Sequence, residues 1–157
     1  MDGETEPGWV HKVVEEGEFA GWSWYSADPF EDLAGPFYYR KEADGRVRSA
    51  FRAERKHLNG SGALHGGILM TFADYAIFCI GRDALQGSGS VTAQMSCDFV
   101  DAGYEGDLIE CTGEIVRGGA SLVFLRGEIH TSGRTLFTFS AIIKKIRRKG
   151  PDHPAGT

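Results

Sequence analysis

Leu64 to Gly81 reads L-H-G-G-I-L-M-T-F-A-D-Y-A-I-F-C-I-G. It is the most apolar stretch of the chain, and between Gly66 and Ile80 its only charge is Asp74. A run this long is too long for a typical strand and is apolar on nearly every face. It predicts a helix from Leu64 or His65 to Leu85, wrapped by other elements. Gln86-Gly87-Ser88-Gly89 ends it. A carboxylate buried without a partner costs several kcal/mol, so Asp74 needs a partner, a task or a wet face. Thr71 and Thr92 are hydroxyls within reach of the first explanation.

On both sides of the helix the period shortens to that of strands. Phe37–Arg40 and Val47–Arg52 flank Ala43-Asp44-Gly45-Arg46, and Asp-Gly between two such runs signals a hairpin. After the helix come four strand-like runs: 90–100, 107–117, 121–131 and 134–147. The Gly-containing stretches at 103–106, 117–120 and 132–133 separate them. Asp28-Pro29 starts a short helical turn to about Leu33, because Pro suits the first helical position. The expected class is α+β, with one long helix against a curved antiparallel sheet of five to six strands. Such a helix needs more cover than one curved sheet supplies, so a second copy of the chain is expected against it.

The domain plan is an acidic, partly disordered arm over 1–28, a body over 29–148 and a disordered tail over 149–157. Trp9, Trp22 and Trp24 mark where the arm packs onto the body or onto a second subunit.

Composition narrows the function. The 157 residues carry a net charge of −5, which argues against nucleic acid as a partner. The charge is uneven: residues 1–35 are acidic, whereas Lys144, Lys145, Arg147, Arg148 and Lys149 form a basic run. That run reads first as a solvated strand end and second as a contact for a phosphate-bearing ligand. Cys79, Cys97 and Cys111 lack metal or redox spacing and read as buried, reduced thiols of a cytoplasmic protein. No zinc-type spacing, signal peptide or clean membrane span is visible.

Asn59-Gly60-Ser61-Gly62 runs into His65-Gly66-Gly67. Gly66 and Gly67 fall in the first helical turn, where N–H groups lack intrahelical acceptors and the helix dipole is positive. Amides so placed can polarise a carbonyl and hold an oxyanion; the plainer alternative is a Gly-rich helix start with no catalytic duty. Asp74 lies nine positions after His65. On an ideal helix that is a rise of about 13.5 Å, against the roughly 3–3.5 Å between reacting atoms. One helix therefore cannot bring both ends to one centre, and two chains can. His11, His57 and His130 read as surface or strand histidines.

The run N-G-S-G-A-L-H-G-G-I-L-M-T-F-A-D, Asn59 to Asp74, resembles the signature of hotdog-fold acyl-CoA thioesterases of the phenylacetate-pathway type. The likeness continues through S-V-T-A-Q-M-S-C-D-F-V, Gly106-Asp107 and G-E-I-V-R-G-G-A-S-L-V-F, and covers about residues 28–147. It implies a hotdog fold, homodimers joined edge to edge and often doubled, an acyl-CoA substrate, and a site at the subunit boundary that needs neither metal nor organic cofactor. Carried over by position, the Gly66 N–H polarises the thioester carbonyl. Asn59 and His65 orient the carbonyl or the water, Asp74 of the neighbouring chain is base or nucleophile, and Thr92 hydrogen-bonds near it. Gly67, Tyr75, Phe78, Arg117 and Ser121 are the expected substrate contacts. The turn at 117–120 has one basic residue where the family often has two. Bulk at Tyr75 and Phe78 points to short, medium-length or aromatic acyl groups. Two other readings stay open: an enoyl-CoA hydratase or dehydratase of the same fold, and a non-catalytic acyl-CoA binding module.

Overall fold

The computed structural model describes residues 10–146. The outermost N-terminal residues with Trp9, the basic Arg147-Arg148-Lys149 and the tail after them lie outside the described residues. Eight strands form one antiparallel sheet: β1 (Val10–Val13), β2 (Ser23–Ser26), β3 (Tyr38–Lys41), β4 (Val47–Arg52), β5 (Gly89–Phe99), β6 (Leu108–Gly118), β7 (Leu122–Thr131) and β8 (Arg134–Ile146). Their order across the sheet is β1-β2-β3-β4-β6-β7-β8-β5. The short helix α1 (Pro29–Ala34) and the long helix α2 (Gly66–Leu85) complete the fold, with a 3-10 turn at Arg55–His57. Among the described residues no helix is long and apolar enough to cross a membrane.

The sheet is wider than the five to six strands expected. The acidic arm supplies the two extra strands, β1 and β2, which pair with each other and reach β3 through Ser23 and Tyr39. Four-residue strands with no strong alternation leave little trace in sequence. Aromatic packing holds them: Trp22 and Phe19 are buried, the Phe19 ring stacks on Tyr38 at 4.3 Å, and the Arg40 guanidinium lies 4.5 Å from the Trp22 ring centroid.

Helix α2 lies against the sheet and buries Ile68, Leu69, Phe72, Ala73, Tyr75, Ala76, Ile77 and Cys79. Phe37 and Phe51 meet Phe72 with ring centroids 5.4 and 4.8 Å apart. Burial in this cluster pushes the Cys79 thiol up to about 12, an inert thiol rather than a nucleophile. On the opposite sheet wall Gly113 and Gly127 face each other in register. A Cβ on Gly127 would sit 2.6 Å from the Thr112 carbonyl and 2.7 Å from the Phe139 ring, so this point of close approach requires glycine.

The helix is not covered all round. Gly67, Met70 and Asp74, on one face at helical spacing, are exposed, and Thr71 and Phe78 beside them are half-buried. This uncovered stripe lies on the side of β5, the last strand of the sheet. Among the described residues β5 has β8 as its only neighbour, and exposed Val91 and Phe99 lie along this edge strand.

Candidate functional site

The loop before α2 is built by Asn59. Its side-chain Oδ1 accepts from the N–H of Ser61 at 2.8 Å and of Ala63 at 3.2 Å, and its carbonyl accepts from Gly62. Asn59 thereby shapes the turn by its own side chain. Its Nδ2 has no partner among the described residues. Gly62, at φ +83°, takes the left-handed conformation that closes the turn.

His65 is the N-cap of α2. Its ring Nδ1 accepts the Gly67 N–H at 2.8 Å, so the Gly67 amide is taken and the ring's Nε2 is left as the donor. Ile68 N–H bonds to the His65 carbonyl. The Gly66 N–H has no acceptor among the described residues. Of the two glycines expected at the helix tip, only Gly66 keeps its amide available. The ring of Phe99 lies over it: a Cβ on Gly66 would come within 2.9 Å of the Phe99 Cε1.

Asp74 stands two turns further along, on the uncovered stripe. Of the explanations the sequence left open, Asp74 has both the wet face and a hydroxyl partner, so the desolvation cost does not apply within one chain. Its partner is Thr92, whose Oγ1 donates to Asp74 Oδ1 at 2.5 Å. The strand is shaped for this contact. Thr92 pairs with Ile143 of β8 and Gln94 with Ile142, which leaves Ala93 as a bulge. A bulge re-aims the side chains beside it.

Tyr75 points the other way. It is a core residue whose hydroxyl donates to the Phe37 carbonyl at 3.3 Å, and it takes no part in the uncovered stripe. Phe78 is half-buried, one turn beyond Asp74. Arg117 and Ser121 sit exposed at the β6–β7 turn, and Ser121 accepts the Lys145 N–H at 2.8 Å. Lys144 lies across the strands from both Val91 and Leu122, so the same end of the sheet carries Arg117, Lys144 and Lys145. Among the described residues no three His, Cys, Asp or Glu side chains are grouped to hold a metal ion.

Two candidate groups thus stand apart beside a free strand edge, the Gly66 amide at the helix tip and the Asp74–Thr92 pair in its middle. The thioesterase superfamily's sequence profile matches residues 61–138, the segment that holds both groups but not Asn59. This chain has the hotdog fold and is similar to the thioesterase superfamily over residues 61–138. A Pseudomonas aeruginosa protein described as a candidate esterase is 29% identical over 121 residues, 75% of this chain and 89% of that one. A Streptococcus pneumoniae thioesterase solved with coenzyme A has TM-score 0.66 at 24% identity, over 76% of this chain and 93% of that one. The Escherichia coli PaaI protein of the phenylacetic acid degradation operon has TM-score 0.64 at 23% identity, over 76% and 85%. A Bacillus halodurans protein solved with coenzyme A has TM-score 0.72 at 21% identity, over 79% and 82%.

Three residues near this hotdog site escaped the sequence reading. Phe99, which roofs Gly66, lies in a run that the sequence marks as a strand without showing that its end meets the helix tip. Glu31 of α1 is half-buried within electrostatic reach of Asp74. Burial, and then the nearby carboxylates Asp28, Asp74 and Asp32, push its own carboxyl up to about 7. The capped Asp28-Pro29 start located its helix but not its neighbour. His57, expected at the surface or on a strand, is buried in the 3-10 turn. Its Nδ1 accepts the Glu54 N–H at 3.0 Å and its Nε2 donates to the Ala34 carbonyl at 2.7 Å, which ties α1 to the loop before α2. Burial pushes this imidazole down, against the opposing pull of the Ala34 bond.

Proposed function

We propose that the protein hydrolyses an acyl-CoA thioester to the free acid and coenzyme A, at sites shared between two chains of a homodimer. One observation carries this reading: the two candidate groups stand beside opposite ends of the free edge of β5. Asp74–Thr92 flanks one end and Gly66, under Phe99, flanks the other. A two-fold axis through the middle of that edge pairs the strand with its copy and sets each Thr92 end beside the partner's Phe99 end. Such an interface is self-complementary, so it makes two equal sites. It also covers the Gly67–Met70–Asp74 stripe. A pair of such dimers, forming a tetramer, belongs to the same proposal.

The chemistry follows from the groups. The Gly66 N–H, at the positive end of α2, donates to the thioester oxygen as it gains negative charge. The Asn59 Nδ2 and the His65 Nε2, each without a partner among the described residues, orient the carbonyl or the water. The Asp74 carboxylate of the neighbouring chain either removes a proton from water or attacks the carbonyl carbon itself. Thr92 holds that carboxylate in one orientation. The carbon–sulfur bond breaks, the thiolate takes a proton, and water supplies the hydroxyl of the acid. The superfamily match and the coenzyme A bound by two structural neighbours support this substrate class. Half-buried Phe78 beside Asp74 supports a short, medium-length or aromatic acyl group. Arg117 and the lysines of β8 are the proposed phosphate contacts. Three free thiols suit the reducing cytoplasm, where we place the reaction.

The test is a panel of acyl-CoAs assayed for released thiol with the wild type and Asp74→Asn, whose fold is checked by circular dichroism. The wild type is expected to turn over at least one acyl-CoA, and the variant to lose at least a hundredfold. A wild type inert toward every acyl-CoA, or a folded Asn variant that is fully active, rejects the proposal.

A further inference from the structure

A cleft of about 420 Å³ opens between the β3–β4 hairpin, the last turns of α2 and strand β6. None of the residues assigned to hydrolysis lines it. Its floor is apolar, formed by Val47, Ile80 and Ile115. Gly113 makes room for that floor, since a Cβ there would come within 2.9 Å of the Ile80 Cδ1.

The charges around the rim are matched with one exception. Arg46 is paired with Asp44 at 2.6 Å, Lys41 reaches Asp83 at 3.5 Å, and Glu114 is taken by Arg126 at 2.5 Å. Arg82 has no carboxylate partner among the described residues. It is nevertheless held in place: one guanidinium nitrogen donates to the Tyr39 hydroxyl, and its guanidinium carbon lies 5.8 Å from the Tyr39 ring centroid. A guanidinium fixed in this way presents its remaining N–H groups as a planar fork that suits a carboxylate.

We propose that this cleft binds a small monocarboxylate with an apolar body, its carboxylate on Arg82 and its hydrocarbon part over Val47, Ile80 and Ile115. The volume fits a small organic ligand. With the other rim charges paired, Arg82 leaves one positive charge to be matched, so the fitting class is a singly charged free acid rather than a multiply charged phosphate ester. Free acids are also the products of the proposed hydrolysis, but the cleft's occupancy does not depend on Asp74.

The experiment is a methyl NMR titration of the full chain with Ile80 and Ile115 assigned. The probes are 3-phenylpropanoate and its neutral, near-isosteric amide. With the acid, both methyls are expected to shift and saturate, equally in the wild type and in Asp74→Asn. The amide is expected to bind at least tenfold more weakly, and Arg82→Gln to weaken the acid by the same factor. Unmoved Ile80 and Ile115 methyls, equal binding of acid and amide, or a folded Arg82→Gln that binds as tightly as wild type overturns the proposal. Should Arg82→Gln fail to fold, the comparison of acid with amide on the wild type decides. Thiol release by the same samples reads the hydrolysis separately, so loss of one assignment leaves the other standing.

Discussion

Thr92→Val exchanges one hydroxyl for a methyl group, which removes a single hydrogen bond and leaves almost everything else in place. Valine keeps the branched shape of threonine and its preference for a strand, so the bulge at Ala93 and the pairing with β8 persist. What disappears is the 2.5 Å bond to Asp74. A hydrogen bond to a charged group contributes about 1.5–3 kcal/mol. Asp74 is exposed in the single chain, which argues for the lower end there, while cover by a partner chain raises it. At about 1.4 kcal/mol per tenfold, the expected loss in kcat/KM is roughly 10- to 100-fold. The loss should fall on kcat, because the bond orients the reacting carboxylate and does not touch the acyl group or the nucleotide. Thr92→Ser restores the hydroxyl and should recover most of the rate. Steady-state thiol release with the best acyl-CoA of the panel measures all three proteins. Wild-type kcat in Thr92→Val would refute the reasoning, and so would a Thr92→Ser variant as damaged as the valine.

Four more outcomes are expected. Gly127→Ala drives a Cβ to 2.6 Å from the Thr112 carbonyl, where backbone has to shift, so a thermal melt should show a loss of about 1–3 kcal/mol. His57 is held below its ordinary 6.5 by burial, so the unfolded chain takes up the proton first; stability is full above that value and falls as the pH drops, by up to about 1.4 kcal/mol per unit, whereas His57→Gln should flatten the slope in urea titrations. Glu31 behaves oppositely, its carboxyl raised from 4.5 to about 7, so ionising it costs the folded state as pH rises; after a discount for solvent screening, Glu31→Gln should stabilise by about 1 kcal/mol at pH 8 and leave pH 4 unchanged. Met70→Arg charges the uncovered stripe, and sedimentation should show monomers with lost turnover but an intact circular dichroism spectrum; an active dimer would contradict the shared site.

Local chemistry made much of this protein legible. The helix from Gly66 to Leu85 could be read because a long apolar run bounded by His-Gly-Gly and Gln-Gly-Ser-Gly has few other solutions, and the long strands after it because their turns are marked by glycine. Asn59, His65 and Gly66 act within a few residues of one another, so their spacing carries their geometry. The neighbours across the fold were hidden. Phe99 reaches Gly66 only because β5 returns along the helix, Glu31 meets Asp74 only because α1 docks on α2, and the unmatched charge of Arg82 exists only once hairpin and helix enclose a cleft. Even the exposure of Asp74 turns on where the sheet stops. A linear pattern records which faces of an element are apolar. It does not record which other element covers each face, because that is settled by packing between segments far apart in the chain.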